Sequence, residues 1–180
     1  MEQLPVSVET ERTRLRRYKV EDVVQLHELV ISNLGRLLDW MPWAKNEPQT
    51  IEWRKNWINE TLKEWNLGKS FGYGIFIDNQ LIGGVGAHRR IGKEGIEIGY
   101  WLAEAHVGHG FMSEAVTALC AECFKLNDVL YIEIHHDVTN SKSRAIPENL
   151  GFVLVDERPR EPQAIKDSGT ELIWRLNKPE

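Results

Sequence analysis

The stretch Ile96–Ala115, IEIGYWLAEAHVGHGFMSEA, is the most informative part of this sequence. Its first part has the apolar character of a buried strand, and the pattern predicts that this strand ends at Leu102. A short loop then leads to the Gly-His-Gly of residues 108–110, where a helix over 109–125 is predicted to begin. A strand, a glycine-bearing loop and a helix in this order are typical of domains that mix helices with a sheet.

The glycines at the start of this helix favour an anion-binding site. The first turn of a helix has unpaired backbone N–H groups and carries a partial positive charge of about half a unit. Glycine lets a bulky anion such as a diphosphate approach that backbone closely. The alternative is that Gly108 and Gly110 only shape a tight turn, because the spacing is weak evidence and the Lys-Ser/Thr ending of a nucleotide P-loop is absent.

A second informative stretch, DVTNSKSR at residues 137–144, ends the next predicted strand and begins the next helix. The amide of Asn140 can both donate and accept a hydrogen bond, which suits the recognition of another amide. Asn140 is also a good helix N-cap residue, so a structural role is equally open. Ser143 follows three residues later, either as a reactive hydroxyl or as an ordinary residue of a first helical turn.

The rest of the chain predicts one domain over residues 1–180 with an α/β (α+β) fold. Its mixed, largely antiparallel sheet has about seven strands flanked by helices, and Asp78-Asn79 forms a hairpin turn. The predicted elements are the strand 13–18, the helices 20–31 and 48–67, the strands 71–77, 80–91 and 95–102, the helix 109–125, the strand 130–138, the helix 141–149 and the strands 151–157 and 170–176. Arg12, Arg14 and Arg16 lie on one face of the first strand, which is predicted to be a charged edge strand.

Composition limits the class of protein. Of the 180 residues, 42% are hydrophobic and 27% charged, which is the balance of an ordinary globular domain. The net charge of −5 argues against a nucleic-acid partner. No apolar stretch resembles a secretory signal or a membrane span, so we expect a cytoplasmic protein with no membrane partner. Cys120 and Cys123 fall in the middle of a predicted helix and are expected to be buried core residues.

These stretches together resemble the GNAT acetyltransferases, and in particular their RimJ/RimL-type branch, whose members acetylate N-termini of ribosomal proteins. IGYWL (98–102) with GHGFMSEA (108–115) resembles the coenzyme-A-binding motif of the family. NSKSRAIPENLGF (140–152) is similar to the branch's Asn-x-x-Ser…Gly-Phe signature. RTRLRRYKVEDVVQLHELV (12–30) and LGRLLDWMPW (34–43) resemble its first strand and helices, so the resemblance covers nearly the whole chain.

The resemblance implies a GNAT fold with acetyl-CoA as cosubstrate and no metal. Two central strands would splay apart, and the pantetheine arm of the coenzyme would lie in the gap. The coenzyme-binding residues would be Ile98, Gly99, Tyr100, Trp101, Leu102, Val107, Gly108, His109, Gly110, Phe111, Met112, Ser113, Asn140 and Lys142. Asn140 would hold the pantetheine arm, and Ser143 would protonate the departing thiolate. The chain departs from the family at Ala105, where Gln or Arg is frequent.

The implied reaction transfers an acetyl group to a primary amine, most simply the N-terminal α-amine of a ribosomal protein. A free α-amine has a pKa of about 7.7–8.0, against about 10.4 for lysine, so a weak base acting through water suffices for it. Glu97 is the predicted catalytic base, with Glu161 and His135 as alternatives. Adjacent residues of a strand point to opposite faces, so His135 and His136 are not expected to share a metal ion.

The acceptor and the assembly stay open. Trp40 and Trp43 flank Pro42 in a region where the family builds a substrate wall, although plain packing is the alternative. The acceptor could instead be a small molecule, such as a polyamine, an aminoglycoside or an amino acid. A further alternative is an acyl-CoA-binding module without catalysis. A homodimer is also consistent with the resemblance.

Overall fold

The computed structural model describes residues 3–179, which form a single eight-stranded sheet with five α-helices. The strands are β1 (Ser7–Glu9), β2 (Arg14–Arg17), β3 (Ser70–Ile77), β4 (Gln80–His88), β5 (Gly95–Leu102), β6 (Tyr131–Asp137), β7 (Val153–Pro159) and β8 (Thr170–Asn177). The helices are α1 (Val23–Ser32), α2 (Leu34–Trp40), α3 (Ile51–Asn66), α4 (Phe111–Phe124) and α5 (Ser141–Asn149). Short 3₁₀ turns cover Val20–Asp22, Pro42–Asn46 and Glu104–His106.

The strand order is β1-β2-β3-β4-β5-β6-β8-β7, and only β5 and β6 run parallel to each other. The predicted mixed, largely antiparallel sheet is therefore confirmed, with β1 as an additional strand. Two hydrophobic clusters cover the two faces of the sheet, since the adjacent residues Leu81 and Ile82 of β4 belong to different clusters.

The splay between the two central strands is also confirmed. The parallel pairing of β5 with β6 joins only Gly95–Glu97 to Tyr131–Glu133. Beyond these residues β5 continues its pairing with β4, and β6 continues its pairing with β8. The facing edges of β5 and β6 therefore open into a gap whose backbone groups have no strand partner.

The prediction of an edge strand at 13–18 is wrong, because β2 lies between β1 and β3. Its arginines make specific contacts instead of protecting an edge. Arg16 donates two hydrogen bonds of 2.7 Å to Asp22, and its guanidinium group lies 3.9 Å from the ring centre of Phe76. This buried ion pair fixes the start of α1 against β2. The strand that covers this edge of β2 is β1, and residues 7–9 were not predicted to form a strand.

Other local predictions have mixed outcomes. Asp78 and Asn79 have φ angles of 46° and 68°, as a two-residue hairpin turn requires. Cys120 and Cys123 are buried in α4, as expected. No helix was predicted between residues 31 and 48, but α2 forms there because Leu37 is buried against the neighbouring helices. Trp53, in the predicted helix 48–67, is 41% exposed.

Candidate active site

The loop before α4 has the geometry of an anion cradle. Gly108 and Gly110 adopt left-handed φ angles of 87° and 80°, which side chains disfavour. No side chain caps the helix at Gly110, and the first backbone N–H that bonds back to the loop is that of Glu114, to the carbonyl of Gly110 at 3.1 Å. The N–H groups of residues 111–113 are therefore available to a ligand.

Arg12 was not recognised as part of this region from the sequence. Its Nη1 donates a 2.9 Å hydrogen bond to the carbonyl of His109, and its guanidinium group lies 4.8 Å from the ring centre of Phe111. Its Nε also pairs with Glu114 at 2.8 Å. These contacts hold the loop in place, and Glu114 balances the charge of Arg12 there. Only the fold brings this residue across to α4, so a local pattern could not have found it.

Several predicted coenzyme-binding residues can contribute only through their backbone. The side chains of Ile98, Leu102 and Met112 belong to the hydrophobic core. Lys142 is exposed on the first turn of α5. The predicted coenzyme contacts of all fourteen residues of the set remain predictions, and the two glycine conformations together with the open gap are the features that fit a bound coenzyme.

The second predicted segment meets β5 at the gap. The Oδ1 atom of Asn140 accepts a 3.1 Å hydrogen bond from the backbone N–H of Ser143, which confirms the N-cap alternative. The carbonyl of Ser143 accepts a 3.0 Å hydrogen bond from the hydroxyl of Tyr100. These contacts bring Ser143 of α5 beside β5, where both Asn140 and Ser143 line a cavity.

This cavity has a volume of about 390 Å³ and a floor made of glycines. Gly72, Gly86 and Gly99 lie directly opposite one another on β3, β4 and β5. A Cβ added at Gly72 would meet no atom within 4 Å, and one added at Gly99 would meet only His88, at 3.9 Å. A Cβ added at Gly86 would lie 2.7 Å from the Nε2 atom of His88, so the floor is open to a ligand at Gly72 and Gly99 and is covered by His88 at Gly86. Its aromatic wall is formed by Tyr18, Trp40, Trp43, Trp57 and Trp101.

Glu97 lies at the edge of the cavity, but its carboxylate is already occupied. Arg90 donates hydrogen bonds of 2.7 Å and 2.5 Å to the two carboxylate oxygens. Burial acts to raise the pKa of Glu97, but the hydrogen bond and charge of Arg90 outweigh it and lower the pKa below its usual value. Glu97 is consequently ionised near neutral pH, and Arg90 fixes its position.

His88 is a functional candidate that sequence reasoning missed. It lies opposite Glu97 in the β4–β5 pairing, and its Nδ1 is 2.7 Å from the hydroxyl of Ser70. Burial lowers the pKa of His88 to about 4, and the charge of Arg90 acts in the same direction. A neutral imidazole therefore faces the glycine floor. The position of His88 in the predicted hairpin did not indicate a functional role, because its alignment opposite Glu97 depends on the register of β4 with β5.

The alternative bases differ in position. His135 lines the cavity, where its Nε2 is 2.8 Å from Glu133 and its Nδ1 is 3.8 Å from Glu171. His136 points to the opposite face and stacks on Trp174, which confirms the predicted alternation. Glu161 is exposed in the loop between β7 and β8 and does not line the cavity.

Carboxylates outnumber guanidinium groups around the cavity. The ionisable acids and arginines that line it are Glu97, Asp137, Asp167, Glu171, Arg90 and Arg160. Each of the two arginines is paired with one of these acids, Arg90 with Glu97 and Arg160 with Asp167. The cavity wall therefore carries an excess of negative charge, which favours a neutral or cationic acceptor.

No group of three or more potential metal ligands that could hold an ion is found among residues 3–179. Within the same residues, no helix is long and apolar enough to cross a membrane.

A splayed sheet, a glycine cradle at a helix start and an adjacent polar cavity define an enzyme of the coenzyme-A-dependent acyltransferase class. Residues 12–153 match the family model described as an acetyltransferase (GNAT) domain. The chain therefore belongs to the GNAT acetyltransferases, which transfer an acetyl group from acetyl-CoA.

Named relatives come from bacteria. The chain is 30% identical to a ribosomal-protein-serine acetyltransferase of Escherichia coli (strain K12) over 137 residues, covering 73% of this chain and 74% of that protein. It is 29% identical over 145 residues to YdaF of Bacillus subtilis (strain 168), named as a candidate ribosomal N-acetyltransferase, covering 79% of each. A solved structure of RimL, a ribosomal L7/L12 α-N-protein acetyltransferase in complex with coenzyme A, shares the fold with a TM-score of 0.86 at 24% identity, covering 98% of each chain.

Proposed function

We propose that this enzyme acetylates the N-terminal α-amine of a protein, with a ribosomal protein as the substrate class. The observation that carries the proposal is the glycine floor across β3, β4 and β5, which leaves room for a chain end at Gly72 and Gly99. The surplus of negative charge around it suits a cationic N-terminus. The relatives named as ribosomal-protein acetyltransferases support the same substrate class.

Acetyl-CoA supplies the acetyl group on a thioester, and the residues of this chain would hold and protonate the reacting groups. The backbone N–H groups of residues 108–113, with Arg12 beside them, would bind the diphosphate. Asn140 would hold the pantetheine arm through the part of its amide that does not cap α5. Ser143 would donate its hydroxyl proton to the departing thiolate.

The acceptor amine must lose a proton before it attacks. Because Arg90 keeps Glu97 ionised and fixed, Glu97 can take this proton through a water molecule. An α-amine with a pKa of about 7.7–8.0 is already partly neutral near pH 7.5, so a carboxylate of low pKa is adequate for it. A lysine or polyamine acceptor would be served less well.

The experiment that tests the proposed function compares acceptors at saturating acetyl-CoA. We expect thiol release with peptides that begin with Ser or Ala, and a kcat/KM for spermidine at least about tenfold lower because its amines are more basic. Peptides with an acetylated N-terminus but a free lysine provide the control. Faster turnover of spermidine or of an aminoglycoside would replace the proposal with a small-molecule activity, and coenzyme binding without any turnover would favour a binding module.

Replacing Glu97 with glutamine is expected to lower kcat for such a peptide by roughly tenfold or more, because the proton acceptor is lost. Glu161→Gln is the matched control and should leave kcat unchanged. The loss should shrink as the pH rises above about 8, where the acceptor is neutral without help. A loss that is the same at every pH would assign Glu97 a structural role through Arg90.

A further inference from the structure

Two polar atoms converge over one glycine in the aromatic part of the cavity. A Cβ placed on Gly84 would lie 2.8 Å from the Oη atom of Tyr18 and 2.8 Å from the Nε1 atom of Trp101. The two atoms therefore lie close together directly over Gly84, which has no side chain to separate them. Both side chains line the cavity described above.

Neither group has a hydrogen-bond partner within residues 3–179, although Tyr18 is only 3% exposed. Its neighbours are the aromatic ring of Trp57, at 5.6 Å between ring centres, and the hydrophobic cluster around α1, α2 and α3. Buried hydroxyl groups are rarely left without a partner, because an unmade hydrogen bond is unfavourable. A ligand bound in the cavity beside these two groups is therefore expected to supply an acceptor atom.

Both groups can act as donors. The indole Nε1 of Trp101 can only donate, and the phenol of Tyr18 can donate while it keeps its proton. Burial raises the pKa of Tyr18, and the nearby charge of Asp22 acts in the same direction, so the phenol stays protonated. Packing of Trp43 against Trp101, at 6.0 Å between ring centres, restricts the orientation of the indole.

We propose that Tyr18 and Trp101 form a two-donor site that binds a backbone carbonyl oxygen of the acceptor chain. The proposal rests on the proposed function, because it assumes that the acceptor amine enters this cavity. It makes the hydroxyl of Tyr18 and the indole of Trp101 determinants of specificity for peptide acceptors over simple amines.

The register of the sheet sets the distance between this two-donor site and Gly99 of the glycine floor. Trp101 pairs with Gly84, and Gly99 pairs with Gly86, so the site lies two strand residues further along β5. Two strand residues span roughly 6.6 Å, which is also the rise of two residues in an extended acceptor. An amine above Gly99 would thus bring one of the first two carbonyl groups of its chain to Tyr18 and Trp101.

The charges around the cavity favour a peptide carbonyl over the carboxylate of a free amino acid. Glu171 pairs at 2.8 Å with Arg158, which does not line the cavity, and Asp137 accepts hydrogen bonds from Thr139 and Ser168. No guanidinium group of the cavity remains without a carboxylate partner for an incoming anion. A neutral carbonyl needs only the two donors.

The test compares two acceptors in wild type, Tyr18→Phe and Trp101→Phe. One acceptor is a Ser-Ala-Ala peptide amide, and the other is ethanolamine, which keeps the amine and hydroxyl of serine but has no carbonyl. We expect each variant to lower kcat/KM for the peptide roughly three- to tenfold more than it lowers kcat/KM for ethanolamine, since any effect on the coenzyme is shared by both acceptors. Comparing each variant with wild type on the same acceptor removes the difference in amine pKa. Tyr131→Phe, which removes a hydroxyl bound to the carbonyl of Ile91 outside the cavity, is the matched control.

The outcomes separate this inference from the proposed function. If wild type acetylates the peptide but Tyr18→Phe and Trp101→Phe affect both acceptors equally, or neither, the two residues only pack the wall and the inference is overturned. Free serine gives a third arm, and a larger loss on serine than on the peptide amide would reassign the donors to a carboxylate. If wild type acetylates no amine, the proposed function fails and the inference falls with it.

Discussion

Replacing Gly108 with valine is expected to weaken the binding of acetyl-CoA roughly ten- to hundredfold. Gly108 has a left-handed φ of 87°, which a β-branched residue adopts only with a strain of about 1–3 kcal/mol. A Cβ at this position would meet no other atom within 4 Å, so the effect acts through the backbone and the space above the loop. A shifted loop would misplace the N–H groups at the start of α4.

Gly151 provides a closely matched control for this variant. It has a φ of 77°, follows α5, and would likewise place a Cβ in open space. Gly108→Val and Gly151→Val should therefore lower the melting temperature by similar amounts, while titration calorimetry should detect weaker coenzyme binding only for Gly108→Val. Unchanged affinity of Gly108→Val, or an equal loss of affinity in both variants, would place the diphosphate elsewhere.

The parts of the fold that depend on local chemistry could be predicted from the sequence. Asp78-Asn79 marked a hairpin because these residue types tolerate positive φ, and the structure has them in that conformation. Asn140, of a residue type that favours helix N-caps, likewise stands immediately before the first residue of α5. Local signals of this kind need no knowledge of what the element packs against.

Features that depend on distant partners could not be predicted in the same way. The alternation of β2 indicated which arginines share a face, but the covering of that strand by β1 arises from pairing outside the motif. Trp53 and Ile58 both lie in the predicted helix 48–67, but α1 and β3 cover only part of α3, so Ile58 is buried and Trp53 is not. Tertiary neighbours decide which part of an apolar stripe becomes core.

The residues of the candidate site fall into the same two groups, those that a local motif indicated and those that only the tertiary fold brings in. Asn140 and Ser143 lie in one short motif, and both line the cavity as that motif suggested. Tyr18, His88 and Arg12 reach the site from other elements, and their positions depend on the register of β4 with β5 and on the contact between the β1–β2 turn and α4. Without that register, the sequence shows only a tyrosine, a histidine and an arginine at strand ends.

Ser143→Ala is the second variant for which a large effect is expected, with kcat lowered on the order of 100-fold and the affinity for acetyl-CoA nearly unchanged. Ser143 lines the cavity, and its carbonyl is held by the hydroxyl of Tyr100. Its own hydroxyl makes no hydrogen bond within residues 3–179 and is therefore free to donate a proton to a thiolate. Removing it should slow the departure of the thiolate without disturbing the coenzyme.

Two further variants make this experiment specific to the hydroxyl of Ser143. Ser141→Ala makes the same change two residues earlier on α5, at an exposed position, and should leave kcat unaffected. Tyr100→Phe removes a second hydroxyl at the gap, that of a phenol which donates a hydrogen bond to the Ser143 carbonyl. Burial raises the pKa of Tyr100, which makes it a poorer proton donor. A larger loss of kcat in Tyr100→Phe than in Ser143→Ala would therefore transfer the acid role to the tyrosine, and an unchanged kcat in Ser143→Ala would remove it from the serine.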